Sequence, residues 1–208
     1  MNIDSIIFDL DGTLWNSIEG VCGAWETVLA KYPNITRVVT PKDMEGCMGL
    51  TIDEIGKKLF PDLDEDFQMK LMEECCEAEE VYLGEHGGIL FSKLEETLKK
   101  LSEKYKLFIV SNCQDGYIQC FFKAHKLNEY FTDFECSGAT GLSKGENNKI
   151  IIERNDLKRP IYVGDTSGDA ESAKVAEIPF VYARYGFGDA HEYDYVIDTF
   201  EEILTLGI

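Results

Sequence analysis

A short apolar run near the N-terminus, Ile3 and Ile6-Ile7-Phe8, ends abruptly at Asp9-Leu10-Asp11-Gly12-Thr13. Consecutive apolar residues without alternation read as a strand buried on both faces, the kind found in a parallel sheet covered by helices on each side. Asp9 and Asp11 stand at i and i+2, so in extended backbone they project to the same side. Gly12 then lets the chain turn. Two carboxylates held close repel each other unless a cation or a shared proton intervenes. Open α/β sheets place their ligands at the carboxyl ends of their strands, so the pair marks a candidate site. The competing reading of the same residues is a plain Asp-Gly turn.

After this strand the pattern becomes helical from about residue 16 to residue 84. Val21, Trp25, Val28 and Leu29 recur at helical spacing, a short helix is expected over 41–47, and Thr51-x-x-Glu54 is a capping box ahead of Ile55 and Leu59. Residues 64–83 read as a longer acidic helix with Phe67, Leu71 and Cys75 on one face. At about 70 residues, this insert is longer than ordinary connections. Gly84, Gly87 and Gly88 form a plausible hinge at its end.

From Phe91 onward strands and helices alternate. Helices are expected over 92–104 (Leu94, Leu98 and Leu101 inward), 115–124, 144–154 (Ile150, Ile151 and Ile152 buried) and 170–176, with a further helix at the C-terminus. Strands are expected over 106–110, 131–137, 160–163, 180–182 and 195–197. Such alternation implies an α/β fold, a Rossmann-like doubly wound parallel sheet with helices on both faces. The expected division is a core from residues 1–15 and 85–208 with an inserted α-helical cap at 16–84.

Composition narrows the partners. The net charge of -19 would repel nucleic-acid phosphates and anionic membranes, so neither is expected as a partner. An acidic protein that handles an anionic substrate needs a local remedy, such as a divalent cation. Seven scattered cysteines without a C-x-x-C pair favour reduced thiols over disulfides or zinc. No signal peptide or membrane span is read, and a cytoplasmic monomer or homodimer is expected.

Three apolar strands end in residues capable of chemistry: Asp9 and Asp11, Ser111 and Asn112, and Asp165 and Asp169. In a parallel sheet these groups converge if the strands are neighbours. In this order the chain resembles the haloacid-dehalogenase-like hydrolases, chiefly their phosphatases with a helical cap inserted after the first strand. Asp9-Leu10-Asp11-Gly12-Thr13 looks like the family's first motif and Ser111-Asn112 like its second. Lys144 lies where the third-motif lysine is expected, and Gly164-Asp165-(x3)-Asp169 is similar to the fourth.

The resemblance implies a Mg2+-dependent phosphatase acting on a small phosphorylated metabolite, phosphoglycolate-like or a sugar phosphate, through an aspartyl-phosphate. It implies that Asp9 attacks phosphorus and that Asp11 protonates the leaving alcohol and then activates water. Asp9, the Asp11 backbone carbonyl and Asp165 are the implied metal ligands, with Asp169 at the metal site in a supporting place. Ser111, Asn112 and Thr13 are implied to bind substrate, and Lys144 to neutralise charge. The segment Lys144-Gly145-Glu146-Asn147 lacks the prolines that often follow this lysine, so Lys149 is the fallback. Read alone, Ser111-Asn112 is a helix cap and turn, and a helical lysine is a solvated one. His86, His125 and His191 show no ligand spacing. Trp15 and Trp25 stand where the insert meets the core, Trp25 more as packing than as a substrate contact. Arg184 faces either the rim of the site or solvent.

The rival activity is a phosphate-shuttling, phosphoglucomutase-like isomerisation, which would use the same two aspartates. A non-enzymatic binding module would be expected to lack a nucleophile, and a receiver-type signalling domain would lack both the insert and the second acid. Dehalogenation has no use for Asp11, and phosphonate cleavage would want an insert lysine, for which Lys42, Lys57 and Lys58 have no support.

Overall fold

The computed structural model describes residues 3–207; residues 1, 2 and 208 lie outside the described residues. The opening apolar run forms β1 (Ser5–Phe8), and the turn after it leads into a two-residue strand, β2 (Trp15–Asn16). Four helices follow: α1 (Ile18–Leu29), α2 (Pro41–Glu45), α3 (Ile52–Leu59) and α4 (Glu65–His86). The strand β3 (Ile89–Leu90) brings the chain back and pairs antiparallel with β2. The remainder runs α5 (Leu94–Ser102), β4 (Lys106–Ser111), α6 (Tyr117–His125), β5 (Asp133–Cys136), α7 (Ser137–Thr140) and α8 (Lys144–Arg154). It continues through β6 (Pro160–Gly164), α9 (Ser167–Val175), β7 (Phe180–Ala183) and β8 (Tyr195–Ile197) to a 3-10 turn at Phe200–Thr205.

Six of these strands make one all-parallel sheet in the order β5-β4-β1-β6-β7-β8. This is the doubly wound Rossmann order, and its direction reverses between β1 and β6, where such sheets open a crevice at their carboxyl edge. The continuous apolar strands now have a reason. Ile6 and Phe8 of β1 pack with Leu107, Ile109, Ile161 and Val163 in the core beneath α5 and α6. Ile7 joins Phe108, Val110 and Tyr162 in a second core beneath α8 and α9. Alternate residues therefore serve opposite faces, and neither face can be polar. Among the described residues no helix is long and apolar enough to cross a membrane.

Local signals set several helix ends. Thr51 and Glu54 cap α3 reciprocally, as their spacing predicts, and the same device starts α2, α8 and α9. α4 ends at Gly87, whose φ of +70° suits a residue without a side chain.

The structure differs from the sequence reading in four places. Gly84 lies inside α4, close to Cys120 and Lys123 of α6, so the break expected at Gly84–Gly88 is confined to Gly87 and Gly88. The β2–β3 pair and α7 were not expected, because two- to four-residue elements carry no periodicity. The C-terminal helix is a 3-10 turn. In α8 only Ile151 of the three isoleucines is fully buried; the inward face is Lys144, Asn147, Asn148 and Ile151, at i, i+3, i+4 and i+7. That face is polar at its start, where Lys144 reaches the acids at the carboxyl edge and Asn147 and Asn148 pair with Thr140 and Ser172, and apolar at Ile151, which enters the second core.

Ile6 has no solvent exposure in the central strand, so Ile6→Ala should cost about 2–5 kcal/mol. The exposed Val38→Ala should change stability by less than about 0.5 kcal/mol. Urea denaturation followed by circular dichroism checks both, and equal losses would contradict the packing described.

Candidate active site

Of three adjacent strands, β4 ends in Ser111, and β1 and β6 run directly into Asp9 and Asp165. The Asp9 amide donates to Val163 O (2.8 Å), which keeps the first carboxylate on the sheet edge beside β6. Beyond it, Gly12 adopts φ +81° and donates its N–H to Trp15 O (2.9 Å). A Cβ at Gly12 would collide with the Asp165 carboxylate, so this turn requires glycine for space as well as for its dihedral.

Lys144, the first residue of α8, is buried with its ammonium between two carboxylates. Its Nζ donates to Asp9 Oδ1 (2.8 Å) and Asp169 Oδ1 (2.7 Å). Burial disfavours the charged form, but Asp169 and Asp9 outweigh it and hold Lys144 well above its ordinary pKa, so it stays cationic. Asp169 Oδ2 accepts from the Asp165 and Thr166 amides (3.1 and 2.9 Å) and from the Thr166 hydroxyl (2.7 Å). One residue thus closes the α9 capping box and orients the lysine. Lys149 is exposed on the far side of the same helix, and Lys144 is the lysine the fold brings to Asp9.

The charges here do not balance. Ligand atoms of Asp9, Asp165 and Asp169 lie within 4.8 Å of one another, and one ammonium among three carboxylates leaves an excess of two negative charges. Burial, with repulsion from Asp169, pushes Asp165 up to about 7, against the pull of the Phe187 and Gly188 amides and Lys144. Burial likewise raises Asp9 well above the usual carboxylate range, although Lys144 opposes it. Asp165 Oδ2 accepts from Phe187 N (2.7 Å) and Gly188 N (3.3 Å), whereas its Oδ1 is buried with no hydrogen-bond partner. A buried carboxylate oxygen without a donor suits a cation, and an all-oxygen donor set suits Mg2+. Asp169, with both oxygens already committed, supports that position from behind.

Asp11 is held separately. Its Oδ1 accepts from Ser17 Oγ (2.6 Å) and the Tyr117 hydroxyl (3.1 Å), which also lies 2.9 Å from Ser17 Oγ. Burial raises its pKa, and the Ser17 and Tyr117 hydrogen bonds pull it part of the way back.

A cleft of about 50 Å³ lies over these groups. It is walled by Asp9, Asp11, Ser111 and Asn112 of the core and by Val21, Trp25, Met44, Ile52 and Ile55 of the inserted helices. The Asn112 side chain braces it, donating to Gly49 O (2.8 Å) and accepting from Ser137 Oγ (2.8 Å). Ser111 Oγ accepts from Cys113 N (3.4 Å) and its hydroxyl also meets the Cys113 thiol. Thr13 lies outside the cleft wall, with a buried hydroxyl that has no partner. Trp15 is packed against Tyr117, Phe121 and His125 and does not line the cleft, whereas Trp25 does. His86 and His191 are exposed, and Arg184 makes a bidentate surface ion pair with Asp198.

Four site residues escaped the sequence reading: Ser17, Glu79, Gln114 and Tyr117. Glu79 Oε1 accepts from Trp25 Nε1, and its Oε2 accepts from Gln114 Nε2 (2.8 Å), joining α1, α4 and the loop after β4. Burial pushes Glu79 up to about 8, against the hydrogen bonds of Gln114 and Trp25. Its signal was present: Leu71, Cys75, Glu79 and Leu83 fall at every fourth position, so Glu79 fills an inward slot.

A family model described as haloacid dehalogenase-like hydrolase matches residues 6–183. The phosphoglycolate phosphatase of Salmonella typhimurium is 25% identical over 239 residues, covering 100% of this chain and 94% of that protein. A predicted phosphoglycolate phosphatase from Haemophilus somnus superposes with a TM-score of 0.86 at 21% identity, covering 99% of this chain and 98% of that one. A haloacid dehalogenase-like hydrolase from Bacteroides fragilis superposes with a TM-score of 0.84 at 22% identity, over 97% and 100%. These structural likenesses are likenesses of fold.

The charge imbalance yields a prediction. Magnesium at about a hundred times its dissociation constant should stabilise the fold by about 2.7 kcal/mol. For a chain of this size that raises Tm by about 5–10 °C. Asp165→Asn should lose the shift while its metal-free Tm stays level or rises, because a buried acid has been neutralised. A full shift in the variant, read by thermal denaturation, would place the cation elsewhere.

Proposed function

This chain belongs to the haloacid dehalogenase-like hydrolases, and on that premise we propose that it is a Mg2+-dependent phosphatase of a small phosphorylated metabolite. The observation that carries the reading is the pair of acids after β1. Asp9 is fixed by a buried lysine, and Asp11, two residues on, is fixed by two hydroxyls. Phosphoryl transfer needs a nucleophile in line, positive charge around the equatorial oxygens and an acid at the leaving group.

With Oδ1 of Asp9 tied to Lys144, Oδ2 is the attacking oxygen. The Asp9 Oδ2–phosphorus bond forms as the ester P–O bond breaks, and Asp11 gives its proton to the departing alkoxide. Asp11 then takes a proton from water as that water attacks the aspartyl-phosphate, which releases phosphate and restores Asp9. Ser111 donates its hydroxyl to a phosphoryl oxygen, and Lys144 offsets the charge of nucleophile and phosphate. Asp9, the Asp11 carbonyl and Asp165 would hold the magnesium ion, which supplies charge neutralisation at the phosphoryl group.

The same reading assigns the core to residues 1–15 and 85–208 and a helical cap to 16–84, with the β2–β3 pair as the neck between them. The cap closes over the phosphoryl group and excludes bulk water, leaving the water that Asp11 activates. The relatives' names make phosphoglycolate one compound to try, beside sugar and polyol phosphates.

Phosphate release from such a panel, with magnesium or with chelator, tests the proposal. Asp9→Asn should lower kcat on the order of a thousandfold or more, and Asp11→Asn by about 10²–10⁴-fold. Chelation should abolish turnover of the native enzyme. Release that survives Asp9→Asn would remove the nucleophile assignment. Isomerised sugar phosphate without free phosphate would replace hydrolysis by a mutase reaction.

A further inference from the structure

The wall of the cleft over Asp9 and Asp11 is built without positive charge. It is largely apolar, and among the described residues no lysine, arginine or histidine lines it. Besides Asp9 and Asp11, its remaining carboxyl is Glu79. A larger groove of about 450 Å³ shares Ile52, Asn112, Cys113 and Gln114 with the cleft and adds Asp53 and Glu73, again with no cation among the described residues that line it. Lys144 is tied to Asp9 and Asp169. The part of a substrate beyond its phosphoryl group therefore meets apolar side chains and acids.

A carboxylate placed there would lose its water and meet no cation among the described residues that line the cleft. Burial of an unpaired anion is among the most costly events in a protein interior. A hydroxyl faces no such cost. Each Glu79 oxygen holds one N–H donor, from Trp25 or Gln114, and a carboxyl oxygen has capacity for a second. An ammonium is also disfavoured, because it brings a full charge and three N–H donors into a largely apolar cleft where each Glu79 oxygen already holds one donor.

We propose that Glu79 sets the substrate class of this site: a phosphomonoester whose leaving alcohol is uncharged and carries a second hydroxyl that hydrogen-bonds the Glu79 carboxyl, with organic-acid phosphates rejected. This rests on the phosphatase reading above and narrows it. Gln114, from the loop after β4, and Trp25, from α1, are the positioning residues that aim the Glu79 carboxyl.

Four esters of matched size test it with the magnesium-loaded enzyme: 2-hydroxyethyl phosphate, ethyl phosphate, 2-phosphoglycolate and O-phosphoethanolamine. 2-Hydroxyethyl phosphate should have the highest kcat/KM. It should exceed ethyl phosphate by about five- to tenfold, the worth of one hydrogen bond. It should exceed 2-phosphoglycolate by roughly tenfold or more, the cost of an unpaired buried charge. Glu79→Leu should erase the preference for the hydroxyl, and Glu79→Gln, which keeps a polar group of the same shape, should keep most of it. The ratio between two esters reports recognition even where a variant loses stability.

Equal or faster turnover of 2-phosphoglycolate or O-phosphoethanolamine would overturn the proposal, as would a hydroxyl preference that survives Glu79→Leu. Silence from all four esters and from p-nitrophenyl phosphate would instead remove the phosphatase reading, and this inference with it.

Discussion

Lys144 carries its ammonium out of solvent to lie between Asp9 and Asp169, and the layout of the catalytic edge follows from keeping that charge satisfied. Such a pair is a poor device for stability alone. Desolvation of the ions consumes most of the attraction between them, whereas removal of one partner leaves an uncompensated charge that costs about 3–5 kcal/mol. Its value lies in position. One oxygen of Asp9 is fixed and the other left available, as the proposed nucleophile requires. Asp169 shows how the contact is anchored: its second oxygen caps α9 through Thr166 and the Asp165 amide, so the start of a helix sets the geometry of the lysine.

The topology explains why four separated segments meet. β1 and β6 are neighbours at the point where strand order reverses, so Asp9 and Asp165 share one crevice although 155 positions separate them along the chain. α8 and α9 cover the same face of the sheet, and Lys144 and Asp169 stand in the first turns of those helices. The negative charge gathered there exceeds what one lysine offsets, and the bare oxygen of Asp165 is where a cation would relieve it.

The doubly wound sheet was legible because buried parallel strands leave unbroken apolar runs, and because the strands beside the site end in Asp, Ser or Asn at the carboxyl edge. The helical insert was legible from its spacing and from the Thr51–Glu54 cap. Other features depend on tertiary contact and leave little local trace. Nothing near Tyr117 says that its hydroxyl reaches Asp11, and the two-residue strands β2 and β3 exist only because they face each other. The polar inner face of α8 went unread because three successive isoleucines suggested a buried stripe, whereas the helix is turned by Lys144 toward the acids. Asn112 lines the cleft, and nothing in its sequence neighbourhood says that its amide also spans from Ser137 to the Gly49 carbonyl of the insert.

That brace and the Gln114–Glu79 hydrogen bond have a common consequence. Both join the loop after β4, just beyond Ser111, to the inserted segment that walls the cleft. Displacement of the insert would break both at once and would strand the Glu79 carboxyl without its Gln114 donor. A leucine at position 79 would complete the apolar row of Leu71, Cys75 and Leu83 without that liability, and it would cost less to bury. The carboxyl is therefore poorly explained as packing. It is better explained as the polar group that meets the substrate only when insert and core are together, so that recognition of the leaving alcohol and closure of the insert over the site become one event.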